Sequence, residues 1–258
     1  MENKVNICMV TYNRLYFTKS SIDSILTHTQ YPHELTIVDN NSQDGTQDYL
    51  KELYNAGKFK NLILLKENIG VAKASNLAWQ MEDFKYYMKY DNDIIFKSGC
   101  WLTPMIELIE KAPDIGIIGY SFEGWNPGVC KINDCDVRVR EGNIGGACVV
   151  IPERTKEKLG YWCEDYGLYS EEDFDYCQRV QALGKRFAYM ANLEIGEHQG
   201  GGDLENDEAY FHWKQAQRRE GLKVLGRNLR KYRKHRDSLY IKSSITPEDF
   251  KDCIYRGE

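Results

Sequence analysis

Five short apolar runs, separated by amphipathic stretches of helical length, constrain this chain more than any other feature. The runs are Val5–Thr11, Glu34–Asp39, Asn61–Leu65, Tyr86–Tyr90 and Ile115–Tyr120, with helical patterns over Thr18–Thr29, Thr46–Ala56, Val71–Met81 and Trp101–Lys111 between them. Strands interleaved with helices in this way predict an α/β fold, a mostly parallel central sheet covered on both faces. Ligands of such sheets bind beyond the carboxyl ends of the strands. Polar residues collect there: Thr11-Tyr12-Asn13-Arg14, then Asp39-Asn40-Asn41-Ser42, then Asn68, then Asp91-Asn92-Asp93. A single cluster is a turn; four on one edge predict a site.

With 258 residues, 42% of them hydrophobic, the chain can fill one large core or two fused lobes. Its net charge of −5 excludes a nucleic-acid binder on charge grounds. No apolar run approaches the ~20 residues that cross a bilayer, and Met1-Glu2-Asn3-Lys4 leads straight into the first strand. The eight cysteines are scattered without a C-x-x-C pair, so reduced thiols and a cytoplasmic location are expected. Cys130 and Cys135 are open to pairing or to a metal.

Asp91-Asn92-Asp93 places two carboxylates one residue apart at the tip of a buried strand. Like charges at that spacing repel and raise each other's pKa, and a divalent cation removes both penalties. Hard oxygen ligands favour Mg2+ or Mn2+ with positions left open for phosphates. A surface loop carrying two acids is the alternative. The chain has neither G-x-G-x-x-G nor G-x-x-x-x-G-K-[ST], so a dinucleotide fold and a P-loop are not expected.

The second half reads less regularly. Residues 121–143 show no period and suggest a long hairpin or a lid. Gly145-Gly146-Ala147 opens an apolar run to Ile151, where small residues admit either a ligand or a bulge. Ser170 is a candidate N-cap for a helix through Val180. Capping explains some of the acids at 171, 172, 173 and 175, but crowding four of them needs chemistry or a cation. His198 precedes Gln199 and three glycines, a poor place for a core histidine and a plausible one for a metal ligand. From Trp213 to Arg236, ten Lys/Arg face one acid; this +9 segment belongs to a chain of net −5. It reads either as a solvated helix lying back on the acidic body or as a contact for anionic lipid or a polyanionic acceptor.

Together these marks resemble the inverting glycosyltransferases of family 2, with the GT-A fold. The resemblance covers about residues 4 to 200. It rests on Val10-Thr11-Tyr12-Asn13-Arg14, Ile37 to Thr46, Glu67-Asn68-Ile69-Gly70 with Asn76, Asp91-Asn92-Asp93, Gly145-Gly146-Ala147, Glu172-Asp173-Phe174-Asp175 with Arg179, and His198, in that order. It implies a GT-A domain over 1–204, with a nucleotide-sugar half (1–120) and an acceptor and catalytic half (121–204), followed by a basic helical extension over 205–258. It further implies that Thr11, Tyr12 and Asp39 hold the base and ribose of a nucleoside-diphosphate sugar, with UDP preferred. Asn68, Asp91 and Asn92 would line the donor site. Asp93 and His198 would hold Mn2+ or Mg2+, and Asp173 would be the general base. Gly145, Gly146 and Glu172 would face the acceptor, a glycan or lipid-linked saccharide. Glu171 and Glu172 beside Asp173 should raise its pKa.

Two departures stand out. Family members often carry an arginine where this chain has Ser75, so Lys73 or Arg14 is expected to supply that charge. The Q-x-x-R-W mark of processive synthases is absent, which favours single additions and a soluble enzyme whose contact with a membrane, if made, is peripheral and through 213–236. The competing readings are a non-catalytic nucleotide-binding descendant and a nucleotidyltransferase; the latter needs a Gly-rich basic loop that Thr11–Leu15 does not provide.

Overall fold

The computed structural model describes residues 3–97, 99, 101–120, 129–132, 135–139, 144–190, 196–199 and 208–257. Strands β1 (Val5–Thr11), β2 (His33–Asp39), β3 (Asn61–Leu64) and β4 (Tyr86–Asp91) are parallel neighbours in the order β3-β2-β1-β4. The helices between them are α1 (Leu15–His28), α2 (Thr46–Asn55) and α3 (Val71–Trp79). Along β1 the side chains alternate between two cores. Val5, Ile7 and Met9 join one cluster with Ile22 and Ile25 of α1 and Leu50 of α2. Cys8 joins the other, with Ala74, Leu77 and Ala78 of α3. That two-sided burial is why the runs are apolar throughout, and each large side chain so buried contributes roughly 1.5–3 kcal/mol.

Beyond β4 lie the hairpin strand β5 (Ile94–Phe96), helix α4 (Leu102–Lys111) and strand β6 (Ile115–Tyr120). Of the 121–143 segment, β7 (Val129–Ile132) and β8 (Cys135–Val139) are described, an antiparallel pair as the hairpin reading expects. The side chains of Cys130 and Cys135 lie outside the described set. Strand β9 (Cys148–Pro152) inserts antiparallel between β4 and β6. It starts three residues later than expected, because Gly146 and Ala147 form a turn. Then follow α5 (Glu153–Leu159), α6 (Glu172–Ala182), β10 (Arg186–Met190) and β11 (Gly196–His198).

Helix α7 (Glu208–Lys234) packs on α6, and the basic extension is helical only this far. The chain then makes 3-10 turns at Arg236–Leu239 and Pro247–Cys253. It ends with β12 (Ile254–Tyr255), antiparallel to β3, which closes that edge of the sheet.

Candidate active site

At the carboxyl end of β1, Asn13 and Arg14 both adopt left-handed backbone (φ 55° and 63°). With Asn41 they are the positive-φ non-glycine residues among those described, and all three sit on this edge. Such strain persists only where the surroundings hold it. Here the Asn13 N–H donates to Ser42 Oγ at 2.7 Å, and Asn13 Oδ1 accepts from the Gln43 N–H at 2.8 Å. The turn sends the Arg14 guanidinium across to Asp93, Nη1 to Oδ2 2.9 Å.

Asp39, fully buried, accepts from Thr11 Oγ1 (2.8 Å), from the Ser42 N–H and hydroxyl (2.8 and 2.5 Å), and from Gln47 Nε2 (2.8 Å). Tyr12 next to it is half exposed, its ring available at the rim. Thus Thr11, Tyr12, Arg14, Asp39 and Asp93 are brought together as expected.

Asp91 and Asp93 are treated differently by the fold. Asp93 Oδ1 lies 3.1 Å from His198 Nε2. The two-stranded hairpin of β5 and β11 delivers the histidine, pairing His198 with Ile94, while the Gln199 N–H bonds to the Asp93 carbonyl at 2.8 Å. Burial alone would raise the Asp93 pKa, but His198 and Arg14 outweigh it and hold the carboxyl below its ordinary range. The hydrogen bond to Asp93 lifts His198 in turn. Asp91 stays above its ordinary value, chiefly through burial, although the Lys89 ammonium sits 2.5 Å from its Oδ1.

Lys89 is the site residue that sequence reasoning missed. It lies inside an apolar strand, 6% exposed, with Nζ on Asp91 Oδ1 and, at 2.9 Å, on the Gly146 carbonyl. Asp91, Glu172 and Asp173 keep it charged against the cost of burial. A lysine two residues before a D-x-D, in a run that otherwise reads as core, is the signal that could have found it.

That lysine joins Asp91 to the Gly145-Gly146-Ala147 run and, through Gly146, to Asp173. The Gly146 N–H donates to Asp173 Oδ2 at 2.9 Å, and the Phe174 N–H to Oδ1 at 2.7 Å. A Cβ on Gly146 would meet Asp173 Cβ at 2.9 Å, so the glycine allows the approach of this carboxylate. Gly145 donates its N–H to the Tyr189 hydroxyl.

Burial raises the Asp173 pKa first, opposed by the Gly146 N–H and by Lys89; Glu171 adds only a smaller push. The rise expected from the neighbouring glutamates is present, with burial as its largest cause. Glu171 is turned instead to Arg218 of α7, at 2.9 Å. Glu172, 5% exposed, is raised to about 7 by burial and by Asp173. Ser170 does not cap α6: the cap position is Glu171 without a side-chain bond, and Ser170 Oγ points at the Gln217 carbonyl of α7.

Other motif residues serve the frame. Asn92 donates to Thr18 Oγ1 at 2.9 Å and fixes α1. Asn68 Oδ1 accepts from the Gly70 N–H at 2.9 Å, holding a glycine whose φ of 87° and contact with the Gly167 carbonyl exclude a side chain. Asn76 grips Trp162 at both its N–H and its carbonyl, and Glu164 besides. Lys73 is not brought to the acids; it lines a separate cavity of about 380 Å3 with Glu164, Asp165, Lys231 and Lys242. Of the two expected sources of positive charge, Arg14 is the one at the site.

Among the described residues no three His, Cys, Asp or Glu side chains gather as a complete metal shell. The donor set still fits a divalent cation whose remaining ligands come from a substrate. Asp93 Oδ1 is buried and the His198 imidazole nitrogen faces it at 3.1 Å, an oxygen and a nitrogen ligand side by side. The glycine run after Gln199 lies outside the described residues.

Residues 6–132 match the family described as Glycosyl transferase family 2. An uncharacterized glycosyltransferase of Haemophilus influenzae is 28% identical over 125 residues, which are 48% of this chain and 38% of that protein. The Bacillus subtilis glycosyltransferase TuaG is 28% identical over 118 residues, 45% of this chain and 46% of that one. The chain thus spans less than half the length of either curated relative.

Among solved structures, the Pyrobaculum calidifontis mannosyltransferase PcManGT, in complex with GDP-Man and Mn2+, superposes with a TM-score of 0.63 at 17% identity. The match covers 81% of this chain and 59% of that one. Residues 1–349 of Staphylococcus aureus TarS, in complex with UDP-GlcNAc, give a TM-score of 0.56 at 17% identity over 77% of this chain and 61% of that one. These likenesses show the GT-A fold. That fold, the ordered motifs and the family match over residues 6–132 together support a family 2 glycosyltransferase.

Proposed function

We propose that the chain is a metal-dependent inverting glycosyltransferase. It moves one sugar at a time from a nucleoside-diphosphate sugar, with UDP the preferred carrier, to an acceptor hydroxyl on a glycan or lipid-linked saccharide. One observation carries this reading. A charge-compensated carboxylate beside an imidazole (Asp93 with His198) and a desolvated carboxylate held by backbone N–H groups (Asp173) share one sheet edge, linked through Asp91, Lys89 and Gly146. The first suits a diphosphate and its cation, the second an acceptor proton.

Tyr12 offers its exposed ring to the donor base, and a base edge reaches Asp39 by taking the place of Gln47 Nε2. Asp93 and His198 would hold Mn2+ or Mg2+, which supplies positive charge to the departing diphosphate. Arg14 remains beside Asp93 and adds a fixed cation on the same side. Asp173 takes the acceptor O–H proton as that oxygen bonds to the anomeric carbon and the bond from carbon to phosphate oxygen breaks. A raised pKa strengthens Asp173 as a base. Lys89 and the Gly146 N–H oppose the effect of burial on it. Among the described residues no helix is long and apolar enough to cross a membrane.

The test is thermal stability against UDP, GDP, dTDP, CDP and ADP, each with and without Mn2+. A ligand at 100 times its dissociation constant adds ~2.7 kcal/mol, a rise of several degrees. A rise with UDP that requires the metal is expected. A rise without metal removes Asp93 and His198 as metal ligands, and no rise with any nucleotide leaves the non-catalytic reading.

A further inference from the structure

The basic stretch meets the acidic body through Arg218 at Glu171 and Arg227 at Asp165, and one face of its helix packs there. On α7 the buried positions are Gly221, Leu225, Asn228 and Tyr232. Gly221 packs so closely on Ser170 that a Cβ there would collide with it. Asn228 and Tyr232 both donate to Asp175 Oδ2, at 3.3 and 2.8 Å.

At about 100° per residue, Arg219, Lys223, Arg227, Arg230 and Lys234 fall within a sector of roughly 80°, centred about 170° from the buried one. All five are exposed. The stripe is about 22 Å long and straight. Lys223 is paired with Glu220 on the helix itself and Arg227 lies 3.5 Å from Asp165. Arg219, Arg230 and Lys234 have no acidic partner among the described residues.

We propose that this stripe is a docking surface for an anionic lipid bilayer, held by headgroup phosphates without insertion of apolar side chains. Several observations favour a flat anionic surface. The stripe runs along the outward side of a helix, and its five residues line none of the three described cavities. No aromatic residue lies within the stripe, as stacking on nucleic-acid bases would require. Leu222, half exposed, stands about 100° from the stripe's centre, so contact rests on charge.

The stripe starts beside the acceptor motif, where Gly221 meets Ser170 and Arg218 reaches Glu171. A bilayer along it therefore brings lipid-borne saccharides toward Asp173. That orientation rests on the proposed function; the lipid binding itself does not.

The experiment is flotation of the full chain with vesicles of phosphatidylcholine containing phosphatidylglycerol, against pure phosphatidylcholine. Wild type should float only with the anionic vesicles, and about 1 M salt should release it, since the screening length is then ~3 Å. Each cation near such a surface is worth roughly a fivefold change in binding. Arg219→Gln, Arg230→Gln and Lys234→Gln combined should therefore bind about a hundredfold more weakly. All three lie on solvent, on the face of α7 opposite its buried positions, and none contacts a residue placed in the site, so melting temperature and transfer to a water-soluble acceptor should stay at the wild-type level.

Wild type that ignores anionic vesicles overturns the proposal, as does a triple variant that floats as well as wild type. Retention of inorganic polyphosphate without flotation assigns the stripe to a soluble polyanion and overturns the lipid. Absence of transfer alongside normal flotation refutes the proposed function and leaves the docking surface standing.

Discussion

The two acidic motifs of this molecule are built on opposite electrostatic terms. Around Asp91-Asn92-Asp93 the fold brings positive partners: Arg14 and His198 to Asp93, Lys89 to Asp91. Around Glu172-Asp173 burial is the largest influence instead, with the Lys89 ammonium acting on both, while Glu171 before them pairs with Arg218. The first arrangement stabilises charge and suits a group that must stay ionised beside a diphosphate. The second makes charge costly and suits groups that exchange protons. Helix α6 then draws a finer line within its own motif: Asp173 faces the edge of the sheet, while Asp175 is a fully buried strut.

The sharpest way to break this contrast is Asp173→Asn. It removes the proposed proton acceptor and keeps the shape, so transfer should fall by roughly 10²–10⁴ while nucleotide binding in the thermal-shift assay stays unchanged. Equal loss of both would return Asp173 to the frame. Asp175→Asn should do the reverse. Its carboxylate accepts from Tyr166, Asn228 and Tyr232 and pairs with the fully buried Arg179, which itself donates to the carbonyls of Leu159 and Tyr161. Leaving that guanidinium without its anion costs about 3–5 kcal/mol. The melting temperature should drop by roughly ten degrees, whereas turnover per folded molecule below that temperature should hold.

A smaller effect is expected on the charge-compensated side. His198→Ala leaves Asp93 and Arg14 in place but removes the imidazole. The metal-dependent part of the nucleotide shift should therefore shrink by about tenfold in affinity, and the metal-independent part should persist. An unchanged response to Mn2+ would take His198 out of the metal site.

The same contrast sets what could be read from the residues alone. β1 to β4 and α1 to α4 were legible because two-sided burial writes continuous apolar runs and the helices between them keep one face in each core. Only their ends moved, as where α1 begins at Leu15 rather than Thr18. The gathering of Thr11, Arg14, Asp39, Asp93 and His198 followed from motif order. Partner choice did not: Asn76, Asn92 and Arg179 sit in recognisable motifs, yet each spends its hydrogen bonds on the frame.

Lys89 was hidden by the assumption that a strand buried on both faces is apolar throughout. The direction of the basic helix was equally hidden, because charge counting registers an excess without its azimuth. The small face at Gly221, Leu225, Asn228 and Tyr232 decides that azimuth, and glycine inside a helix reads as weakness until the packing against Ser170 is seen.

The mildest substitution tests the desolvated side most directly. Burial and the nearby Asp173 raise Glu172 from 4.5 to about 7, so the folded chain binds a proton there that the unfolded chain releases in that interval. The sign follows. The contribution of Glu172 to stability is full below about 4.5 and declines as the pH rises through about 7, after which it is constant. Glu172→Gln keeps the neutral shape and the acceptor for the Ser170 N–H, so stability should lose that slope and the variant should be at least as stable as wild type at pH 8.

It also frees Asp173 from a neighbour that becomes negative near neutrality. The acid limb of the transfer rate, set by ionisation of Asp173, should then lie at lower pH than in wild type, with nucleotide binding unaltered. Chemical denaturation and initial rates measured from pH 4 to 9 read both changes on the same samples. A wild-type stability slope retained in the glutamine variant would mean that Glu172 is already ionised in the folded state. The acceptor side would then be compensated by Lys89 as fully as the donor side is by Arg14 and His198, and the difference between the two motifs would be one of geometry alone.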